Sequence, residues 1–454
     1  MATLMAWSKL LSRKRLGETF LETCEAEIPV QNRTSFQRDF DRIVFSSSFR
    51  RLKDKTQVFP LFNNDYVRNR LIHSLEASCV GRSLGTIVGE EIIQRHSKSL
   101  HDYIASDFGD IVAAACLSHD IGNPPFGHTG EEAIQEWFKS ARAQPVLQQL
   151  NLQQQADLTC FEGNAQGFRI ITQKEKQADR IGLQLTYATL GTFMKYPRES
   201  SISGEIFQQY QGKSIAKHGF FQAEKNLVEQ IATEVGLIRR DAKSAWWCRH
   251  PLVFLIEAAD DICYHIVDLE DGFRMGYITY EEAENLLKTL LKKDNLEYLG
   301  SDLLDNIKYL RSKTIHQLIL EAKHVFLDFE SEILSGEFDA PLTSVIPSAN
   351  SLKEIVDITR RKVYESCEVI EVKVAGYEVL GGLLEEFITA ISQEQFSKSY
   401  LIKKLLPNFK ADDENLDIYK KILKVTDYIS GMTDSYAVSV YKKIKGISLP
   451  RGGK

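Results

Sequence analysis

Proline is scarce in this chain, 11 in 454 residues, and most of it stands between apolar-periodic segments. Long helices are therefore free to form wherever the pattern favours them. Paired cysteines are lacking as well. The seven, Cys24, Cys79, Cys116, Cys160, Cys248, Cys263 and Cys367, are scattered, odd in number and without a C-x-x-C pair. That excludes a disulfide framework and a zinc ribbon, and it points to reduced thiols in a cytosolic protein. Positive charge is not in excess: 56 Lys+Arg stand against 62 Asp+Glu, a formal net charge of -6. Bulk charge does not hold such a protein to nucleic acid, although a local basic pocket stays open. No uncharged apolar run approaches the roughly 20 residues of a membrane-spanning helix. The start, MATLMAWSKLLSRKRLGE, has too short an apolar stretch for a secretory signal. The expectation is a soluble, cytoplasmic protein.

What is present reads as helix after helix, an all-α chain. Over 66–95, Ile72, Leu75, Cys79, Leu84, Ile87 and Val88 fall at three- and four-residue steps, which predicts one long amphipathic helix. Ile111 to Leu117 is almost wholly apolar and Ala-rich, as in a buried helix. Leu252 to Leu269 is a further apolar stretch, but it carries acids. Helices are also expected near 279–293, 302–332, 351–365 and 368–393, with two more in 414–445. Val369 to Val379 partly alternates, so a strand competes there; the helical flanks favour helix. Residues 198–215 and 333–350 read as polar loops. The tail from Lys442 to Lys454 is basic and Gly-rich at its end and is expected to fray.

The strongest local signal is His119-Asp120 at the end of the buried 111–117 helix. An ionised carboxylate is expensive to bury unless it is paired or bound to metal. The chain then breaks into Gly122-Asn123-Pro124-Pro125-Phe126-Gly127-His128, which cannot continue the helix. A new helix is expected near Thr129, with Glu131 and Glu132 in its first turn, where acids are favoured by the helix dipole. His73 lies in the long 66–95 helix, three residues after Arg70 and on the same face. Asp260-Asp261 sit in the 252–269 helix. Two imidazoles and two carboxylates from separate helices suit one divalent cation, Mn, Fe, Co, Ni, Zn or Mg, rather than a thiolate metal. On a helix Asp260, Tyr264 and Asp268 step by four and share a stripe, so Asp260 is preferred over Asp261 as the ligand.

The pattern H…HD…D over separate helices resembles the HD-domain phosphohydrolases. Longer stretches carry a closer resemblance to bacterial deoxyguanosine triphosphate triphosphohydrolases and related dNTPases. They are FRRLKDKTQVF (49–59), RNRLIHS (68–74), HDIGNPPFGHTGEEA (119–133), FEGNAQGFR (161–169), TYATLGTFMKYP (186–197), KHGFF (217–221), EAADDICYHIVDLEDG (257–272) and GMTDSYA (431–437). The resemblance spans nearly the whole chain. It implies an N-terminal substrate-contact arm over 1–60, an HD catalytic core over 61–275 and a helical C-terminal region over 276–454 packed on that core.

By this resemblance His73, His119, Asp120 and Asp260 hold one divalent metal ion per site: Mn, Mg or another transition metal. The ion would act as a Lewis acid on the α-phosphate and make a water more acidic. His128 and Glu131 match the family's catalytic pair: the imidazole moves a proton and the carboxylate orients it. Arg70 is the first candidate for the α-phosphate. Lys195 and Lys217 match lysines that would bind β- and γ-oxygens, with Tyr196 and Asn164 as second candidates. Tyr264 would stack on the nucleotide or face its phosphate. Gln57 and Asp268 are expected near the sugar, and Tyr436 near the base or sugar. The implied reaction turns a dNTP and water into deoxynucleoside and inorganic triphosphate, with dGTP preferred or all dNTPs accepted. By the resemblance, a nucleotide effector and a dimer-based homo-oligomer, up to a hexamer, are implied partners.

Plainer explanations compete. Arg70, Lys195 and Lys217 would be solvated cations, Glu131 a first-turn acid, Tyr264 a core aromatic, and Asp268 part of a charged helix end. His218, His250, His265, His316 and His324 read as structural. Two other functions stand beside the first: an HD-type nucleotidase or phosphodiesterase of different specificity, and a catalytically silent helical regulator.

Overall fold

The computed structural model describes residues 4–17, 33–58, 68–173, 182–291 (203, 205, 206, 208 and 209 excepted), 300–393, 397–407 and 415–448. Among them every regular element is helical, and strand-like pairing is limited to isolated bridges such as Arg15 with Thr186. No helix among the described residues is long and apolar enough to cross a membrane. The described cysteines are free thiols.

Two long helices make the centre. Helix α1 runs Arg70–Arg95, and the Asn69 side chain caps it by accepting the Ile72 amide at 3.1 Å. Helix α2 runs Ala105–Ser118 and is almost entirely buried. They approach closely because α1 carries Gly81, Gly85 and Gly89 at steps of four. A Cβ at Gly85 would stand 2.9 Å from the Phe108 carbonyl oxygen, and one at Gly81 2.7 Å from Cys116 Sγ. Glycine weakens a helix by about 1 kcal/mol relative to alanine. Here that loss is offset by packing that aligns His73 with the far end of α2. Gly85→Val is therefore expected to force the helices apart and cost about 1–3 kcal/mol, read as a lower Tm and a lower denaturant midpoint.

Helix α3, Val253–Arg274, lies against both and brings the acidic stripe to them. Helix α4, His128–Lys139, starts one residue before the expected Thr129. In the C-terminal region, α5 (Cys367–Ser392), α6 (Ile418–Ser430) and α7 (Asp434–Ile444) follow. Residues 369–379 are helical inside α5, so the alternation there is not a strand. The segments expected as loops hold short turns of helix, among them Lys213–Ile215, Glu330–Ser335 and Leu342–Ser344. The tail is helical to Ile444, and 449–454 lie outside the described residues, as does 66–67 of the expected first long helix.

Apolar burial divides into two cores. One joins Trp7, Phe36, Leu84, Phe108, Ile256, Leu318 and Ile355 around α1, α2 and α3. The other joins Ile134, Trp137 and Phe138 of α4 to Leu380, Leu383, Phe387, Ile422 and Ile429 of α5 and α6. The turn between α2 and α4, residues 119–127, thus spans both cores, with Ile121 in the first and Phe126 in the second.

Candidate active site

His119 caps the C-terminus of α2, and its Nδ1 lies 2.6 Å from the Cys116 carbonyl oxygen. A carbonyl only accepts, so Nδ1 carries the proton and Nε2 is free to ligate. His73 on α1 presents its ring edge-on, with centroids 5.3 Å apart. From α3, Asp260 Oδ1 stands 3.0 Å from His73 Nε2 and 3.4 Å from His119 Nε2. The candidate ligand atoms of His73, His119 and Asp260 lie within 4.8 Å of one another. Asp120 joins from the turn, with Oδ1 3.5 Å from His119 Nε2. Nitrogen and oxygen donors in a shielded setting fit a divalent cation. Asp261 points elsewhere and accepts the Thr343 hydroxyl at 2.6 Å.

The electrostatics are consistent with that fit. Burial opposes a charge on His119, but Asp120 and Asp260 outweigh it and raise its pKa. A proton and a cation therefore compete for the same nitrogen. Burial would raise Asp120, but Arg70, His119 and His73 hold it well below the usual carboxylate range. Asp260 is likewise held ionised against burial, chiefly by Lys195, whose Nζ lies 2.5 Å from its Oδ2.

Beside these groups opens a cavity of about 420 Å³, lined among others by Gln57, Arg70, His128, Tyr264 and Tyr364. Arg70 stands between the two. Its Nη1 donates to Asp120 at 2.7 Å, while its buried Nε has no hydrogen-bond partner among the described residues. Gln57 Oε1 is buried and unpartnered as well. Unpaired buried polar atoms of residues that line a cavity are candidates for a bond to a bound ligand.

His128 is the first residue of α4 and sits on the cavity wall. The residue is exposed at the wall, yet the protein packed around it lowers its pKa. Glu131, one turn on, accepts the Gly163 amide at 2.8 Å and lies 3.5 Å from Lys217 Nζ. Lys217 also pairs with Glu162 at 2.9 Å. Burial and the nearby Glu131 push Glu162 up to about 7. Asn164 bonds the Glu162 carboxylate, and Tyr196 is buried in the same charged neighbourhood.

At another side of the cavity Tyr264 stacks on Tyr364, with centroids 5.7 Å apart and planes 12° from parallel. The Tyr364 hydroxyl donates to the buried Asp268, whose pKa burial raises well above the usual range. Tyr436 is not brought to the cavity: it is 46% exposed and pairs with the Tyr428 hydroxyl at 3.2 Å. Three participants escaped the sequence reading. His265, read as structural, lines the cavity; Tyr364 stands in the charged stretch RRKVYE, outside every motif quoted above; Glu162 is visible only as part of FEGNAQGFR. His218 and His250 are buried against the Cys160 and Leu10 carbonyls, which is a structural role.

An all-helical domain that converges two histidines and two aspartates in this order is an HD domain, and the chain matches that family over residues 70–156. Residues 347–443 match the phosphohydrolase-associated domain. The chain is 52% identical to a deoxyguanosinetriphosphate triphosphohydrolase-like protein of Synechocystis, covering 98% of this chain and all of the relative. It is 40% identical to a protein of the same description from Pseudomonas aeruginosa, with 98% and 100% covered. It is also 30% identical to a deoxyguanosinetriphosphate triphosphohydrolase of Klebsiella pneumoniae, with 91% and 94% covered. The chain belongs to the deoxyguanosinetriphosphate triphosphohydrolase-like family of HD-domain phosphohydrolases.

Proposed function

We propose that this protein hydrolyses deoxynucleoside triphosphates to deoxynucleoside and inorganic triphosphate, with dGTP as the first substrate to test and the other dNTPs beside it. The observation that carries the reading is the meeting of His73, His119 and Asp260 next to a cavity where Arg70 Nε and Gln57 Oε1 lack partners. His73, His119, Asp120 and Asp260 would hold one divalent ion, Mn, Mg or another transition metal. When bound, it supplies Lewis acidity at the α-phosphate.

The chain's own groups do the rest. Arg70 turns its free Nε to an α-phosphate oxygen while Asp120 holds the guanidinium plane. His128 is kept neutral by its surroundings and so is ready to accept a proton; Glu131, anchored by Gly163 and Lys217, fixes the field around it. Lys195 and Lys217 provide cations for the β- and γ-oxygens, with Tyr196 and Asn164 beside them. Gln57, Tyr264 and Asp268 form the sugar side. Tyr436 would reach a base or sugar only from outside the cavity. The functional division remains an arm over 1–60, a catalytic core over 61–275 and a C-terminal region over 276–454. A cytoplasmic location, a dimer-based oligomer and a nucleotide effector complete the proposal.

The test is product analysis with purified protein, each dNTP singly and all four mixed, with Mn²⁺ or Mg²⁺. Deoxynucleoside and intact triphosphate are expected. A nucleoside monophosphate with pyrophosphate would assign a different nucleotidase, and no turnover under any mixture would leave the silent regulator.

A further inference from the structure

The turn that carries His128 is closed by its own Gly127 amide on the Pro124 carbonyl at 3.1 Å, yet it contains a backbone conformation its residues do not favour. Phe126 sits at φ 64° and Gly127 at φ 60°. A left-handed backbone is unfavourable for a non-glycine residue, so Phe126 has to be held there by its neighbours. The neighbours come from the far end of the chain. The Phe126 amide donates to Asp434 Oδ1 at 3.0 Å. The Thr56 amide donates to Asp434 Oδ2 at 2.9 Å, and the Thr56 hydroxyl donates to the same oxygen. Gly376 of α5 lies flat on the Phe126 ring, where a Cβ would stand 3.0 Å from Cγ.

Asp434 is 1% exposed and is the first residue of α7. It is not spent on capping its own helix: Thr433 does that, accepting the Tyr436 amide. Both Asp434 oxygens are committed to other segments. One holds the residue two before His128, the other the residue before Gln57. Lys55, next to Thr56 and 2% exposed, adds a parallel tie. Its ammonium donates to the Asn123 carbonyl at 2.5 Å and the Ser430 carbonyl at 2.7 Å. The Asn123 side chain in turn donates to Asp120 Oδ1 at 2.5 Å.

We propose that Asp434 is a positioning residue, an acceptor-only group whose two oxygens set the spacing between the Gln57 wall and the His128 turn. The C-terminal helices would thereby fix the spacing of cavity walls through Asp434, a residue that does not itself line the cavity. This rests on the hydrolase reading above for its kinetic consequences, though not for the loop geometry. The chemistry demands a carboxylate. Three donors converge on it, and an asparagine would offer one oxygen and aim its own N–H groups at the remaining donors.

The experiment compares wild-type protein with Asp434→Asn, Thr56→Val and Thr56→Ser. In Asp434→Asn, kcat and kcat/KM are expected to fall together by about 10- to 100-fold, the size of effect that a small misplacement of a reacting group produces. KM and the Mn²⁺ dissociation constant should stay near wild type. Amide hydrogen exchange should accelerate at Phe126 and Gly127 while α1 and α2 remain protected. Thr56→Val should show a smaller loss of kcat that Thr56→Ser restores. Wild-type kcat in Asp434→Asn, or unchanged exchange at Phe126, overturns the proposal. Should Asp434→Asn fail to fold, equal rates for Thr56→Val and Thr56→Ser overturn it instead. Absence of dNTP cleavage by the wild-type protein is a different result. It removes the functional reading, and the exchange comparison then decides the clamp by itself.

Discussion

His119→Ala protein is expected to bind no divalent ion and to lose dNTP hydrolysis by about 10³-fold or more, since metal assistance is worth several kcal/mol and each 1.36 kcal/mol is tenfold. His119 is the cleanest ligand to remove. Its Nε2 faces Asp260 and Asp120, its Nδ1 bonds the Cys116 carbonyl, and its ring meets His73 edge-on. Asp260 keeps its charge partner in Lys195 when the imidazole goes. Removing Asp120 instead would leave the buried Arg70 without its carboxylate, and breaking a buried pair from one side costs about 3–5 kcal/mol. Activity loss there would mix unfolding with chemistry. Metal analysis of purified His119→Ala beside a thermal melt separates the two. Full activity with a normal melt contradicts the ligand assignment.

His128→Ala should behave in the opposite way, with metal content near wild type and a rate lower by about 10²–10⁴-fold, the usual worth of a positioned proton-transfer group. Its ring is on the cavity wall, outside the cluster of ligand atoms, so its loss leaves the ion's donors in place. The pH dependence checks the role. The surrounding protein lowers the His128 pKa, with Arg70 and Lys217 pushing the same way and Glu131 and Asp120 opposing without reversing it. A neutral base therefore persists below the ordinary histidine range. The acid limb of kcat/KM should fall below pH 6.5 in the wild type and disappear in His128→Ala. An acid limb unmoved by the substitution would transfer the role to another group, with Glu162 the first to examine.

The all-α architecture was legible because helical periodicity is local: side chains three and four apart share a face whatever the tertiary context. The same reasoning separated Asp260 from Asp261. Asp260, Tyr264 and Asp268 do share one stripe of α3, facing the imidazoles, the cavity and Tyr364 in turn. The Gly122–His128 segment was legible as a break after a buried helix. The stripe of Gly81, Gly85 and Gly89 was also present to be read, as a steps-of-four pattern that predicts close approach.

Other features had no local signature. Tyr364 meets Asp268 across 96 residues, Lys195 meets Asp260 across 65, and Asp434 meets Phe126 across 308. Periodicity says which residues share a face of one helix. It does not say which second helix covers that face, because that choice depends on how two cores of similar apolar surfaces fit together. The sequence by itself therefore determined the helical class, offered candidate metal donors and marked the turn beside them. Only the tertiary structure decided that Lys195 lies against a candidate ligand, that Tyr364 walls the cavity, and that a carboxylate near the C-terminus holds the His128 turn. Long-range packing, not local propensity, sets those distances.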